Sequence, residues 1–159
     1  MGGRTDWVLL TYRLPREPSN PRVVLWRKLR RLGAAQIGDG LVVLPADART
    51  REQFDWLADE IEESRGTASI WIGRAGSVRQ EQALVAQMRS SIAEEYQAIL
   101  DAIDAALAAG PSEQRRTAAR LRREIRRIAA RDYFPPLNRD QARAAVEDLA
   151  SRVHAEAER

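Results

Sequence analysis

Short apolar runs and helical repeats alternate along the first half of the chain. Trp7–Leu14 is rich in apolar, aromatic and β-branched residues, which is typical of a strand, and Pro15 ends the run. Asn20 then serves as the N-cap of a helix whose apolar residues recur at helical spacing as far as Gly33. A second helical repeat covers Thr50–Ser64. Three further strands are predicted at residues 34–37, 41–44 and 67–72, the first two forming a hairpin.

From Ser77 onward the pattern becomes helical. Apolar residues follow one another at spacings of three and four over roughly eight turns, until Gly110 and Pro111 interrupt them. A second helix follows and is broken by Tyr133–Pro136, and a third is predicted over Asn138–Val153. The short breaks favour an antiparallel helical hairpin followed by a return helix.

The order of elements in the first half is β-α-β-β-α-β. This order predicts an α+β fold of the ferredoxin-like type, in which a four-stranded antiparallel sheet carries two helices on one face. We therefore predict a sheet domain over residues 1–75 and a helical tail of about three helices over residues 77–159. The tail is expected to pack on the sheet domain or on a partner.

All four tryptophans lie in the predicted sheet domain. Trp7 and Trp56 are expected in or near the core, whereas Trp26 lies slightly off the apolar side of its helix and is available to a sheet edge or a partner. In the last strand Trp71 points away from its isoleucine neighbours. If those isoleucines face the helices, Trp71 lies on the open face of the sheet, where the tail or a second subunit would cover it.

The composition narrows the class of protein. Hydrophobic residues make up 44% and charged residues 31% of the 159, an ordinary balance for a soluble domain with a charged surface. The absence of cysteine excludes disulfides and thiolate sites. No apolar run of about 18 residues exists, so no membrane partner is expected. The first residues lack the apolar region of a signal peptide, so a cytoplasmic location is expected.

The sequence contains few candidate catalytic residues. His154 is the only histidine and lies near the C-terminus. Asp6, Asp39 and Asp47 lie at strand ends without a histidine partner, and turn or cap roles explain them. No glycine-rich phosphate loop is present. We therefore expect no catalytic residue, no metal site and no cofactor, and we expect that the protein is not an enzyme.

Arginine carries most of the positive charge. The net charge is only +3, but Lys28 is the sole lysine, and the planar arginine fork suits phosphate and other oxyanions. One cluster lies on the first helix. It consists of Arg22, Arg27, Lys28, Arg30 and Arg31.

A denser arginine cluster lies on the second helix of the tail, where eight arginines accompany a single acid, Glu124. These are Arg115, Arg116, Arg120, Arg122, Arg123, Arg126, Arg127 and Arg131. Such a segment creates a local field that the total charge conceals. One interpretation is that its arginines pair with acids of the long helix, such as Glu94, Glu95, Asp101 and Asp104. The other is that they bind a phosphate backbone or an oxyanion. The candidate binding residues are Arg22, Arg27, Lys28, Arg30, Arg31, Arg122, Arg123, Arg126 and Arg127.

Several segments together resemble the N-terminal domain of the chromate-resistance regulators of the ChrB family. They are WVLLTYRLP (7–15), RVVLWRKLRRLGA (22–34), GLVVLP (40–45), FDWLADEI (54–61) and RDYF (131–134). The resemblance covers nearly the whole chain and implies a domain of a chromate-responsive transcriptional regulator. Family members usually carry a further C-terminal domain. Chromate is an oxyanion, so arginines would be its plausible ligands.

The predicted sheet domain also resembles the small nuclease-like domain of CRISPR adaptation proteins and of PaaX-type repressors. In those nucleases an aspartate ends the first strand, whereas this chain has Tyr12, Arg13 and Leu14 there. The departure argues against nuclease activity.

Two functions follow as hypotheses. The first is a regulatory domain that binds DNA, or chromate or another oxyanion, through the arginine clusters. The alternative is a non-catalytic protein-interaction or dimerisation module. A homodimer is expected.

Overall fold

The computed structural model of the protein describes residues 4–159. It contains four strands, β1 (Trp7–Arg13), β2 (Ala35–Gly38), β3 (Leu41–Pro45) and β4 (Thr67–Gly73). Five helices accompany them within the described range: α1 (Asn20–Leu32), α2 (Ala48–Glu63), α3 (Val78–Leu107), α4 (Pro111–Ala129) and α5 (Arg139–Ala157). The predicted α+β fold, with a helical C-terminal part, is confirmed. Within residues 4–159 none of the helices is both long and apolar enough to cross a membrane.

The strands form one antiparallel sheet in the order β2-β3-β1-β4. This is the order of a ferredoxin-like fold, with β1 between β3 and β4. Side chains alternate along β1, so Val8 and Leu10 share one face, and both are fully buried. Helix α2 packs against β1 and β4. It contributes the buried residues Phe54, Leu57 and Ile61 to this core.

Local signals explain where the two sheet-domain helices begin and end. The assignment of Asn20 as N-cap was wrong by one residue, because Ser19 precedes the first helical residue, and Pro21 lies in the first turn of α1. Gly33 ends α1 in the left-handed conformation that glycine adopts readily, with φ of 73°. Helix α2 begins before the predicted Thr50, because a capping box with Asp47 satisfies its first backbone N–H groups.

The tryptophans divide between the core and the surface. Trp7 is 2% exposed, as predicted, but the core position predicted for Trp56 was wrong, since its side chain is 61% exposed. At about 100° per residue, Trp56 lies on the side of α2 opposite Phe54. Trp71 pairs with Leu9 on the open face of the sheet and is 62% exposed.

The chain forms two compact units, one ending at Gln87 and the other covering Met88–Arg159. The predicted domain boundary at residues 75–77 falls at the start of α3, whereas the unit boundary lies inside this helix. The first turns of α3 therefore belong to the sheet unit. Glu81 of these turns accepts a hydrogen bond from the Thr5 backbone N–H at 2.8 Å and another from the Trp7 indole at 3.4 Å.

The second unit has a helical core that includes Tyr96, Leu121 and Leu149. Polar bonds attach the α4–α5 connection to α3. The Tyr96 hydroxyl donates to Asp132 Oδ2 at 2.9 Å, and the Asn138 amide donates to the Ala93 carbonyl at 3.0 Å. The RDYF segment thus joins three helices rather than forming an open loop.

We expect Tyr96→Phe to lower the free energy of unfolding by about 1–2 kcal/mol, because a partly buried hydrogen bond is removed and Asp132 keeps one fewer partner. Urea unfolding measures the change. Tyr12→Phe removes a hydroxyl from a half-buried ring and serves as the control. Equal stability of Tyr96→Phe and the parent protein would contradict the assigned role of this bond.

Tyr96 also makes the free energy of unfolding depend on pH in the alkaline range. Burial, with the hydrogen bond to Asp132, raises the pKa of Tyr96 from 10.0 to about 12. The unfolded chain therefore loses the phenol proton first, and stability falls as the pH rises from 10.0 towards 12. Unfolding free energies across this window should fall more steeply for the parent protein than for Tyr96→Phe. If the unfolding free energies of the two proteins fall with the same slope across this pH range, the raised pKa of Tyr96 is contradicted.

Candidate nucleic-acid interface

Helix α4 presents its arginines to solvent because its apolar side is buried. Ala118, Leu121 and Ile128 lie in the core of the second unit. At about 3.6 residues per turn these positions occupy one side of the helix, and the arginines fall on the rest of its circumference. The charge density of α4 is therefore a property of the surface.

Half of the eight arginines make ion pairs with described residues. Arg116 pairs with Glu113 at 2.6 Å and Arg120 with Glu124 at 3.2 Å, both within α4. Arg131 pairs with Glu95. Within residues 4–159, Glu95 is thus the one acid, of the four considered on the long helix, that pairs with the cluster. The interpretation in which the long helix neutralises the cluster applies to a single arginine.

Arg122 is engaged with α5. Its guanidinium makes two hydrogen bonds to Glu147, from Nη2 at 2.7 Å and from Nε at 3.2 Å. Arg122 lowers the pKa of Glu147 through this hydrogen bond, and the pair is exposed to solvent. Because the carboxylate occupies the arginine fork, Arg122 is less available to an incoming phosphate than an unpaired arginine.

Four arginines of α4 have no ion pair or hydrogen bond within residues 4–159: Arg115, Arg123, Arg126 and Arg127. Arg126 and Arg127 lie three and four residues after Arg123, so the three side chains share one exposed side of the helix. We call Arg123, Arg126 and Arg127 the α4 arginine face. They lie in the C-terminal half of α4, where the helix dipole favours positive charge.

The α1 cluster is also divided between occupied and available side chains. Lys28 pairs with Glu60 of α2 at 2.6 Å, and the Arg30 guanidinium lies 4.9 Å from the centre of the Trp26 ring. The other three members, Arg22, Arg27 and Arg31, are exposed and make no ion pair within residues 4–159. Burial of the apolar side of α1 accounts for this arrangement, as it does on α4.

The structure also reveals a groove that the sequence patterns do not show. It lies between the end of β1, the β2–β3 turn and α1, and its volume is about 960 Å³. Its lining includes Tyr12, Arg13, Arg22, Trp26 and Asp39, and we call it the β1–α1 groove. The sequence patterns indicate no binding role for Tyr12 or Arg13, because the groove that they line also includes residues of a helix that follows later in the chain.

The electrostatics of this groove centre on Tyr12. Burial raises the pKa of the Tyr12 phenol above its usual 10.0, the Arg22 charge lowers it in part, and Asp39 raises it. The phenol is therefore protonated at neutral pH and can both donate and accept a hydrogen bond.

Within residues 4–159, no three histidine, aspartate or glutamate side chains come together in a way that could hold a metal ion. His154 lies beside Glu158 at 3.2 Å on the exposed end of α5.

Comparison with known proteins extends the resemblance noted in the sequence. The family model described as protein ChrB, N-terminal, matches residues 22–159. The chain is 30% identical over 145 residues to the protein ChrB of Cupriavidus metallidurans, which covers 90% of this chain and 44% of that protein. It thus spans less than half the length of this relative. No solved structure matches the chain. The match over most of its length shows that the chain belongs to the ChrB N-terminal family.

Proposed function

We propose that this chain is a regulatory domain of a chromate-responsive transcriptional regulator and that it binds the phosphate backbone of DNA. Membership of the ChrB family supports the role in regulating chromate resistance. The observation that carries the DNA contact is the α4 arginine face, whose three guanidinium groups are exposed without a carboxylate partner among the described residues.

An unpaired arginine face binds phosphate for a simple reason. Each fork can make two parallel hydrogen bonds to phosphate oxygens, and no carboxylate has to be displaced first. Binding also releases counterions from the DNA, which provides much of the affinity at low salt. In the sheet unit, Arg27 and Arg31 lie one helical turn apart and provide a second, smaller set of phosphate contacts.

The same chemistry accommodates an oxyanion. Chromate carries oxygen acceptors and negative charge, as a phosphate group does, so it competes for the same guanidinium groups. A regulator built in this way would release DNA when the oxyanion occupies its arginines. In this proposal, DNA and chromate are alternative ligands of one surface.

A titration of duplex promoter DNA tests the proposal. We expect the triple variant R123Q/R126Q/R127Q to weaken binding and to reduce the slope of log affinity against log salt by about 0.9 for each phosphate that the protein no longer neutralises. Fluorescence anisotropy of labelled duplex at several salt concentrations measures both. Chromate added at constant ionic strength is expected to lower the affinity of the parent protein.

The matched control removes the same number of charges from the same helix. R116Q/R120Q/R122Q deletes three arginines that already make ion pairs, so binding is expected to change much less. If both triple variants lose equal affinity, general charge governs binding and the α4 arginine face has no special role. If the parent protein does not bind duplex at low salt, the DNA proposal is wrong.

A second function, as a dimerisation module, is favoured by the edge of the sheet. Strand β4 is an edge strand without a charged residue or proline, and it presents Trp71 and Ile72 to solvent. Natural proteins usually protect such an edge, because its unpaired backbone groups can bind another strand. A second copy of the chain would extend the sheet through β4.

If this dimer forms, Trp71→Asp is expected to convert it to monomer, because a carboxylate would be buried at the interface. Trp56→Asp is the control, since Trp56 is equally exposed but lies on α2. Sedimentation velocity gives the oligomeric state of each protein. A monomeric parent protein, or dissociation by both substitutions alike, would contradict dimerisation through β4.

A further inference from the structure

The β1–α1 groove has a floor that is held in place by the backbone. The Tyr12 N–H donates to the Gly40 carbonyl at 2.8 Å, and Tyr12 also pairs with Ala68 of β4. Gly40 has a φ of +67°, and a Cβ at this position would lie 2.3 Å from the Tyr12 carbonyl oxygen. The turn can therefore press against β1 only with glycine there, which keeps the floor in one geometry.

Two aromatic rings line this groove. Tyr12 alternates onto the same face of β1 as Leu10, the face that carries the helices, and α1 brings Trp26 to the same groove. Trp26 is 53% exposed, and the Arg30 guanidinium lies 4.9 Å from the centre of its ring. A large exposed indole that is already oriented by a stacked guanidinium is a suitable platform for a second flat group.

Two arginines of the groove have no carboxylate partner. Arg13 and Arg22 are exposed and make no ion pair within residues 4–159, although Arg22 lies close enough to influence Tyr12. Asp39 is the one acid that lines the groove. Cationic forks, aromatic rings and the polar side chains of Asp39 and Gln36 thus share one concave site whose volume is within the range of ligand pockets.

We propose that the β1–α1 groove binds a nucleoside phosphate, with the base stacked on Trp26 and Tyr12 and the phosphate held by Arg13 and Arg22. A flat aromatic base joined to an anion is the ligand that matches this combination, whereas an inorganic anion would leave the rings without a role. Asp39 is placed to accept a hydrogen bond from an amino or hydroxyl group of the nucleoside.

This site goes beyond the proposed binding of duplex DNA. Bases in a duplex are stacked on one another, so a ring platform can bind only a free nucleotide or an unpaired nucleotide of a strand. The two sources share their chemistry, and they differ in whether the sugar–phosphate chain continues beyond the site.

Titrations of the whole chain with AMP, by calorimetry, and with fluorescein-labelled single-stranded oligo-deoxyadenylate, by anisotropy, test the site. Saturable binding of at least one probe is expected. Trp26→Ala, and separately R13Q/R22Q, should each weaken it about tenfold, the scale expected when one stacking or phosphate interaction is removed. Stronger binding of AMP would identify a free nucleotide as the ligand, and stronger binding of the oligonucleotide would identify an unpaired strand.

The control is R51Q/R79Q, which removes two exposed charges from the sheet unit outside the groove and should change the affinity by less than about twofold. Circular dichroism verifies that each variant is folded. The proposal is overturned if neither probe binds, if inorganic phosphate competes as well as AMP and Trp26→Ala has no effect, or if the control loses as much affinity as R13Q/R22Q.

Duplex binding is measured in parallel. R123Q/R126Q/R127Q should lose duplex and retain the nucleotide, so either proposal can fail without the other.

Discussion

The burial of one side of each helix decides where the charge of this protein lies. On α4, Leu121 and Ile128 are buried in the helical core, and a guanidinium cannot share that position without a partner. The arginines of the helix are therefore confined to the outer side, close to one another. The same constraint acts on α1, where Leu25 and Leu29 are buried and the basic residues face outward. The arginine clusters exist as surfaces because the cores beneath them are apolar.

Tertiary packing then sorts the arginines by availability. Glu147 of α5 and Glu60 of α2 each reach a basic residue of a neighbouring helix and occupy it. Arg123, Arg126 and Arg127, which no carboxylate reaches within the described chain, form the α4 arginine face. This division explains how a chain with a net charge of only +3 can present a locally strong positive field. It also separates basic residues that pair with a carboxylate of a neighbouring helix from those that make no ion pair within residues 4–159.

In the sheet unit, burial of the apolar residues of β1 also places the polar end of this strand at a concave surface. The central strand β1 buries Val8 and Leu10 under the helices and then runs out of the core at Tyr12 and Arg13. There the strand meets α1 and the β2–β3 turn, and a concave site results. The end of this strand thus carries a phenol and a guanidinium. Both groups can donate hydrogen bonds to an anion.

The sequence by itself determined the order of the elements, the α+β class and the helix end at Gly33, because periodicity, proline and glycine act over a few neighbouring residues. It also identified the arginine clusters and the core position of Trp7. Only the tertiary structure decided that Trp56 faces solvent, which arginines have partners, and that Tyr12 and Trp26 share a groove. Those properties depend on side chains that are distant in sequence and meet only after the sheet and helices have packed. Local sequence patterns do not encode contacts between residues that are distant in the chain. The sequence therefore predicted where the arginines cluster, but not which of them lack an ion-pair partner.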